Sequence, residues 1–161
     1  MAARSSYAFW IFIVFVLIAH YTVHLALGLG TNAPDLLTVA LLLSVRRVRG
    51  SSAAMLGLGF GVLNDALAGT AFGAEAVVMT ALGYIGARSR DLFEGDSLLF
   101  VGVYLFLGKW LHDVAYYTLA KELAHGDLVS RLVVQAPVAG VYAAAGGIGA
   151  LLIYRASTGE R

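Results

Sequence analysis

Residues 57–73 read GLGFGVLNDALAGTAFG, a run apolar enough for a membrane that nevertheless carries Asn64 and Asp65 near one end. A carboxylate in or beside hydrocarbon is costly, so something must compensate it. Ala53, Gly57 and Gly61 recur every four residues, and the next step along the same face is Asp65. One helix face therefore combines close backbone approach with a polar end. The pattern predicts a membrane helix whose work is packing against something.

The remainder of the chain supports that class. Of 161 residues, 60% are hydrophobic and 13% charged, and the mean hydropathy is +0.81. A soluble domain of this size carries roughly 25% charged residues. No polar interval is long enough for a separate domain, so residues 1–161 read as one transmembrane domain without a soluble catalytic module. The net charge of +1 is not gathered into a basic block that would track nucleic acid. Cysteine is absent, which excludes disulfides and thiolate chemistry. The first apolar segment is longer than a signal-peptide core and lacks a small-x-small cleavage site, so it reads as a retained span.

Hydropathy and breakers divide the chain into apolar segments at about 7–29, 34–45, 51–67, 74–87, 97–119 and 128–154. The expected fold is therefore an all-α integral membrane protein, a compact six-helix bundle. Segments 34–45 and 74–87 are short for a hydrocarbon core of about 30 Å. They read as central helices or half-helices, and a five-span alternative makes 34–45 re-entrant. With an inside N-terminus, Arg4, Arg46, Arg47, Arg49, Arg88, Arg90, Arg155 and Arg161 fall on the cytoplasmic side, against Lys121 and Arg131 outside. That bias obeys the positive-inside rule for six spans with both termini cytoplasmic.

The polar residues within these segments are the candidates for function, and each has a plainer reading. Asp65 with Asn64 reads as a partner contact or as a cap on the turn before the fourth segment. Lys109, His112 and Asp113 form a second cluster, a buried network that holds the bundle or moves a proton. Lys before Asp at four residues is the weaker order for an intrahelical pair. That order leaves Asp113 for another helix and Lys109 for Asp65 or Glu75. Asp35 after Pro34 is a helix-start signal, and Glu75 suits the positive N-terminus of the fourth segment. His20 and His24, four apart, have metal-pair spacing, but no third ligand is evident and no metal site is assigned. Small residues also repeat at 139, 143 and 147 and at 136, 140 and 144. Gly57, Gly61, Asp65, Gly69, Gly73, Gly140 and Gly147 are thus the candidates for helix packing or partner contact. Gly57, Gly59 and Gly61 do not make a dinucleotide fingerprint. No nucleophile triad, phosphate loop or useful carboxylate pair appears, so neither an enzyme nor a cofactor is expected.

Three runs resemble the MreD family of rod shape-determining proteins. APDLLTVALLLSVRR, residues 33–47, is similar to the family's Pro-Asp-Leu-Leu segment and its basic turn. GLGFGVLNDALAGTAFGAEA, residues 57–76, resembles its Gly-rich helix and following Asp-containing element. GYIGARSRDLF, residues 83–93, is similar to its Gly-Tyr turn. Glu75, Lys109 and His112 have no counterpart in that pattern. The resemblance implies a non-enzymatic component of the bacterial inner membrane that serves lateral peptidoglycan synthesis. The partners it implies are MreC, MreB with RodZ, and a SEDS glycosyltransferase–class B penicillin-binding protein pair, besides membrane lipid. It also implies a fold similar to the substrate-binding membrane subunits of energy-coupling-factor transporters. From that likeness comes a rival reading, a vitamin-type transporter subunit or a binder of a lipid-linked precursor. Its polar pocket would use Asp65, Glu75, Lys109 and Asp113.

Overall fold

The computed structural model describes residues 2–26, 35–68, 73–89, 97–120 and 131–159. Gly69, the expected outer connections at 30–33 and 120–127 (beyond Ala120) and most of the loop at 88–96 lie outside them. Among the described residues the chain is all-helical. The helices are α1 (Ala2–Tyr21), α2 (Leu36–Val45), α3 (Gly50–Ala68), α4 (Ala74–Ser89), α5 (Leu98–Leu119) and α6 (Ala136–Thr158). A π-helical turn, Thr22–Ala26, extends α1, and another, Arg131–Gln135, leads into α6. Pro137 explains the second: it has no N–H to give to the preceding turn, and a wider turn accommodates its ring.

Stretches 7–24, 98–119 and 131–158 are long and apolar enough to cross a bilayer. The helix boundaries shift from those expected of the sequence at both ends of the chain: α1 begins at Ala2 rather than 7, and the last segment runs further. It ends at Thr158 rather than 154, because Ser157 and Thr158 both donate their hydroxyls to Tyr154 O and Gly159 closes the helix in a left-handed conformation.

Helix α2 is the centre of the bundle. It touches α1, α3, α4, α5 and α6, and every one of its residues from Leu37 to Val45 is buried. Its all-round apolar sequence, LLTVALLLSV, has no polar face because it has no exposed face. The one hydroxyl near its C-terminal end, Ser44, is satisfied by donating to Ala40 O at 2.6 Å. At 1.5 Å per residue a helix of this length covers about 15 Å, half of a hydrocarbon core.

Around α2 the other helices lie in two close pairs and a single. In the first pair, α3 and α4 meet backbone to backbone. A Cβ at Gly57 would collide with the carbonyl of Met79, one at Gly61 with the backbone at Ala76, and one at Gly83 of α4 with the carbonyl of Ala53. In the second pair, Gly140 of α6 lies against Phe106 of α5, and Gly147 against Leu105 and Val39. Helix α1 presents Phe9, Ile13, Val16 and His20 inward, with Phe9 edge-on to Tyr154 of α6 at 6.0 Å. Its other side exposes Tyr7, Ile11, Phe15 and Ile18. Large apolar residues on the outside as well as in the core suit a lipid-facing protein, where close packing at small residues joins helices.

The α3–α4 contact has a discriminating test. Gly57→Ala and Gly61→Ala should each lower the unfolding midpoint in detergent, since an added methyl in filled space costs about 1–3 kcal/mol. Gly59 faces open space, with nothing within 4 Å of an added Cβ. Gly59→Ala should leave the midpoint unchanged or raise it slightly, by up to about 1 kcal/mol of helix propensity. Equal behaviour of the three variants would refute the close α3–α4 approach.

Candidate functional site: a buried charge network joining four helices

Asp35 stands just before α2, where its carboxylate caps the helix. Oδ1 accepts from Thr38 N at 3.1 Å, and Oδ2 accepts from Thr38 Oγ1 at 2.6 Å. The same Oδ2 receives Lys109 Nζ of α5 at 2.7 Å. Lys109 also donates to Asp113 Oδ1 at 2.6 Å, one turn further along α5. Asp113 Oδ1 in turn meets His112 Nδ1 at 3.1 Å, and His112 Nε2 reaches Glu75 Oε1 of α4 at 3.0 Å. The network runs Asp35, Lys109, Asp113, His112, Glu75, and so ties α2 to α5 and α5 to α4.

A fourth helix joins through the backbone. Asp65, near the end of α3, accepts from Gly73 N at 2.9 Å, Glu75 N at 3.3 Å and Ala76 N at 3.0 Å. These are orphan N–H groups at the start of α4, and a carboxylate is well placed against that positive helix end. Gly73, with φ +94°, occupies a left-handed conformation that favours glycine. One side chain of α3 therefore caps α4 and holds Glu75 where His112 meets it.

Burial sets the energetics. Lys109, His112, Asp113, Glu75 and Asp65 are all buried. Taking such groups from water costs several kcal/mol each unless they are paired and hydrogen-bonded. Both ring nitrogens of His112 face carboxylate oxygens, so the two contacts are satisfied together when both nitrogens carry hydrogen. The planar ring then acts as a rigid clip between α4 and α5. His112 also stacks on Tyr116 at 6.2 Å, one turn further on.

Several expectations from the sequence change here. Lys109 reaches neither Asp65 nor Glu75; it takes Asp35 and Asp113. The Lys-to-Asp pair at four residues does form despite its unfavourable order, because Asp35 fixes the ammonium from the other side. Asp113 therefore serves its own helix. Asp65 lies on the backbone of α4 with no ion pair among the described residues. Asn64 is half-buried beside it but outside the hydrogen-bonded network. The face of Gly57 and Gly61, a candidate for a partner helix, is filled by α4, and those of Gly140 and Gly147 by α5 and α2. Thr38, which completes the cap on Asp35, escaped notice, although its position three residues after an Asp is a capping signal. Tyr104, whose hydroxyl donates to Leu42 O at 3.3 Å, carries no sequence signal that separates it from belt aromatics.

At the end of α1 and in the π-helical turn after it, the rings of His20 and His24 lie tilted at 45° with their centres 4.3 Å apart. His20 Nδ1, Tyr21 Oη and His24 Nε2 are buried with no hydrogen-bond partner among the described residues. Both His20 and Tyr21 lie within electrostatic range of Asp35.

Removing one member of the network should cost more than removing a pair. Lys109→Met leaves Asp35 and Asp113 uncompensated and should destabilise the bundle by about 3–5 kcal/mol. Lys109→Met combined with Asp113→Asn should recover part of that loss. Unfolding midpoints of the two single variants and the double one in detergent decide it; a double variant whose loss equals the sum of the two single losses would show that the residues do not interact.

Comparison with known proteins adds one finding. A family model described as rod shape-determining protein MreD matches residues 3–117, which takes in α1 to α4, nearly all of α5 and every member of the charge network. No curated protein matches, and no solved structure matches that would display the expected likeness to vitamin-transporter subunits. Since the family model spans well over half of its length, this chain belongs to the MreD family of rod shape-determining membrane proteins.

Proposed function

We propose that this protein is a membrane scaffold of the bacterial cell-elongation complex, a six-span bundle of the inner membrane with cytoplasmic termini. In this reading it holds the transmembrane helix of MreC and supports lateral peptidoglycan synthesis without catalysing a reaction. Through MreC it joins MreB, RodZ and the SEDS glycosyltransferase–class B penicillin-binding protein pair. Membership of the MreD family carries the role in rod shape. What supports a scaffold is the way the charged groups are used. Lys109, Asp113, His112, Glu75 and Asp35 are consumed in holding the chain's own helices, and Asp65 in capping one. Along the sides of the described helices the exposed surface left for partners is mainly apolar.

One concavity on that surface suits a partner helix. Between α5 and α6 lies an open groove of about 380 Å³, lined by Leu99, Gly102, Phe106, Ala144, Ala145, Ile148 and apolar neighbours. Small residues on its floor allow close approach, which is how helices associate in lipid. The groove replaces the Gly57–Gly61 face as the proposed seat of MreC.

A second reading has one observation in its favour. The unpartnered His20 Nδ1, Tyr21 Oη and His24 Nε2 would be satisfied by a polar ligand, as in a transporter subunit or a binder of a lipid-linked precursor.

Affinity purification of the full chain from native membranes separates the two. Recovery of MreC, and its loss in Ala144→Phe with the unfolding midpoint retained, is the expected result. MreC recovered equally with Ala144→Phe would remove the groove from the proposal. Recovery of transporter ATPase subunits in place of MreC would favour the second reading. In a rod-shaped host, depletion of the chain should give round cells.

A further inference from the structure

Four arginines gather at the end of the bundle opposite the charge network. Arg46 and Arg47 open the short connection from α2 to α3, Arg49 closes it, and Arg88 lies in the last turn of α4. Neighbouring contacts draw them to one rim. A Cβ on Gly50 would stand 3.3 Å from Tyr84, so the start of α3 meets the last turns of α4. Tyr104 of α5 bonds to Leu42 O of α2 at 3.3 Å and lies beside Gly86 of α4. The ends of α2 and α4 and the first turns of α5 therefore share one level.

Three of the four arginines lie near aromatic rings. The Arg47 guanidinium lies 3.9 Å from the ring centre of Phe9, and those of Arg46 and Arg88 lie 6.0 Å from Tyr104 and Tyr84. Among the described residues, no carboxylate forms an ion pair with any of the four. The rim is also recessed. Helix α1 begins seven residues before Phe9, about 10 Å at the helical rise. Helix α6 likewise continues past Tyr154, which packs on Phe9, to Thr158. The four cations thus stand below the ends of two flanking helices, at the level of Phe9, Trp10, Tyr104 and Tyr154. Aromatic residues of this kind mark the headgroup level of a bilayer.

We infer that Arg46, Arg47, Arg49 and Arg88 form a collar that binds the phosphodiester of an anionic phospholipid headgroup. A guanidinium over a ring face, as Arg47 is over Phe9, keeps its N–H edge free, and that edge matches two phosphate oxygens at once. The recess supplies the depth at which a lipid phosphate lies, which a freely diffusing anion does not need. Four cations with no carboxylate partner among the described residues select a headgroup of net negative charge; a zwitterionic one brings its own cation. Setting the orientation of the chain requires only that the arginines be on one side, and neither rings nor convergence.

The test uses the full chain in neutral detergent, with unfolding midpoint and native mass spectrometry as readouts. Added phosphatidylglycerol should raise the midpoint and stay bound, whereas phosphatidylcholine and inorganic phosphate at equal phosphorus should do neither. Arg46→Gln, Arg47→Gln and Arg88→Gln should each weaken phosphatidylglycerol binding by about fivefold. The corresponding lysine variants, which keep charge and fold but lose the fork, should weaken it less. Arg131→Gln, at the opposite end, should respond as the unaltered chain does. An equal response to phosphatidylcholine, an equal response to inorganic phosphate, or unchanged binding in the arginine variants would each overturn the inference. Stabilisation by a polyglutamate peptide as great as by phosphatidylglycerol would also overturn it, assigning the collar to an acidic protein segment.

Discussion

Lys109 sits between Asp35 and Asp113, and the bundle depends on that placement. Lipid gives helices no hydrophobic reason to associate, since the tails are as apolar as leucine. A central helix with no polar face could slide or rotate among its neighbours at small cost. The ammonium group prevents this by fixing the start of α2 to α5 at 2.7 Å. From there His112 carries the register to Glu75 and hence to α4, while Asp65 carries it from α4 to α3. One cation thus sets the height of several helices relative to one another.

The close contacts and the charges divide the work. Glycine-mediated contact between α3 and α4 provides dispersion energy over a long seam but specifies height weakly, because a helix surface repeats every turn. The ion network contributes little net stability once desolvation is counted, and it specifies one register. A slip of one turn between α2 and α5 would leave Lys109 facing apolar side chains and Asp35 without its cation. Packing and polarity are therefore complementary constraints, the first holding the helices together and the second holding them in place.

Membrane character, helix number and the small-residue faces were legible because each is a local property of sequence. Apolar run length and the breakers at Pro34 and Gly73 depend on neighbours a few positions away. Asp35 and Asp65 were recognisable as caps for the same reason. Which charge meets which was not legible. Asp35 and Lys109 are 74 positions apart and Glu75 and His112 are 37 apart, and no spacing rule relates them. Nor did the glycine pattern say what fills its groove. Gly57 and Gly61 predict a closely approaching helix, but the identity of α4 as that helix comes from the backbone contacts at Met79 and Ala76 and from the cap that Asp65 makes on its first turn. Tyr104 and Thr38 owe their roles to partners that only the assembled bundle brings within reach.

The shortness of α2 has a consequence for how the protein is made. A segment of about 15 Å cannot span a bilayer on its own as it leaves the translocon. Its capping carboxylate finds Lys109 only after 74 further residues have been synthesised. At bacterial translation rates that interval lasts on the order of 4–15 s. During it the carboxylate of Asp35 lacks the cation that compensates it, and α2 lacks both α5 and α6 as neighbours. Insertion of this chain therefore does not proceed span by span; a middle helix waits for a late one.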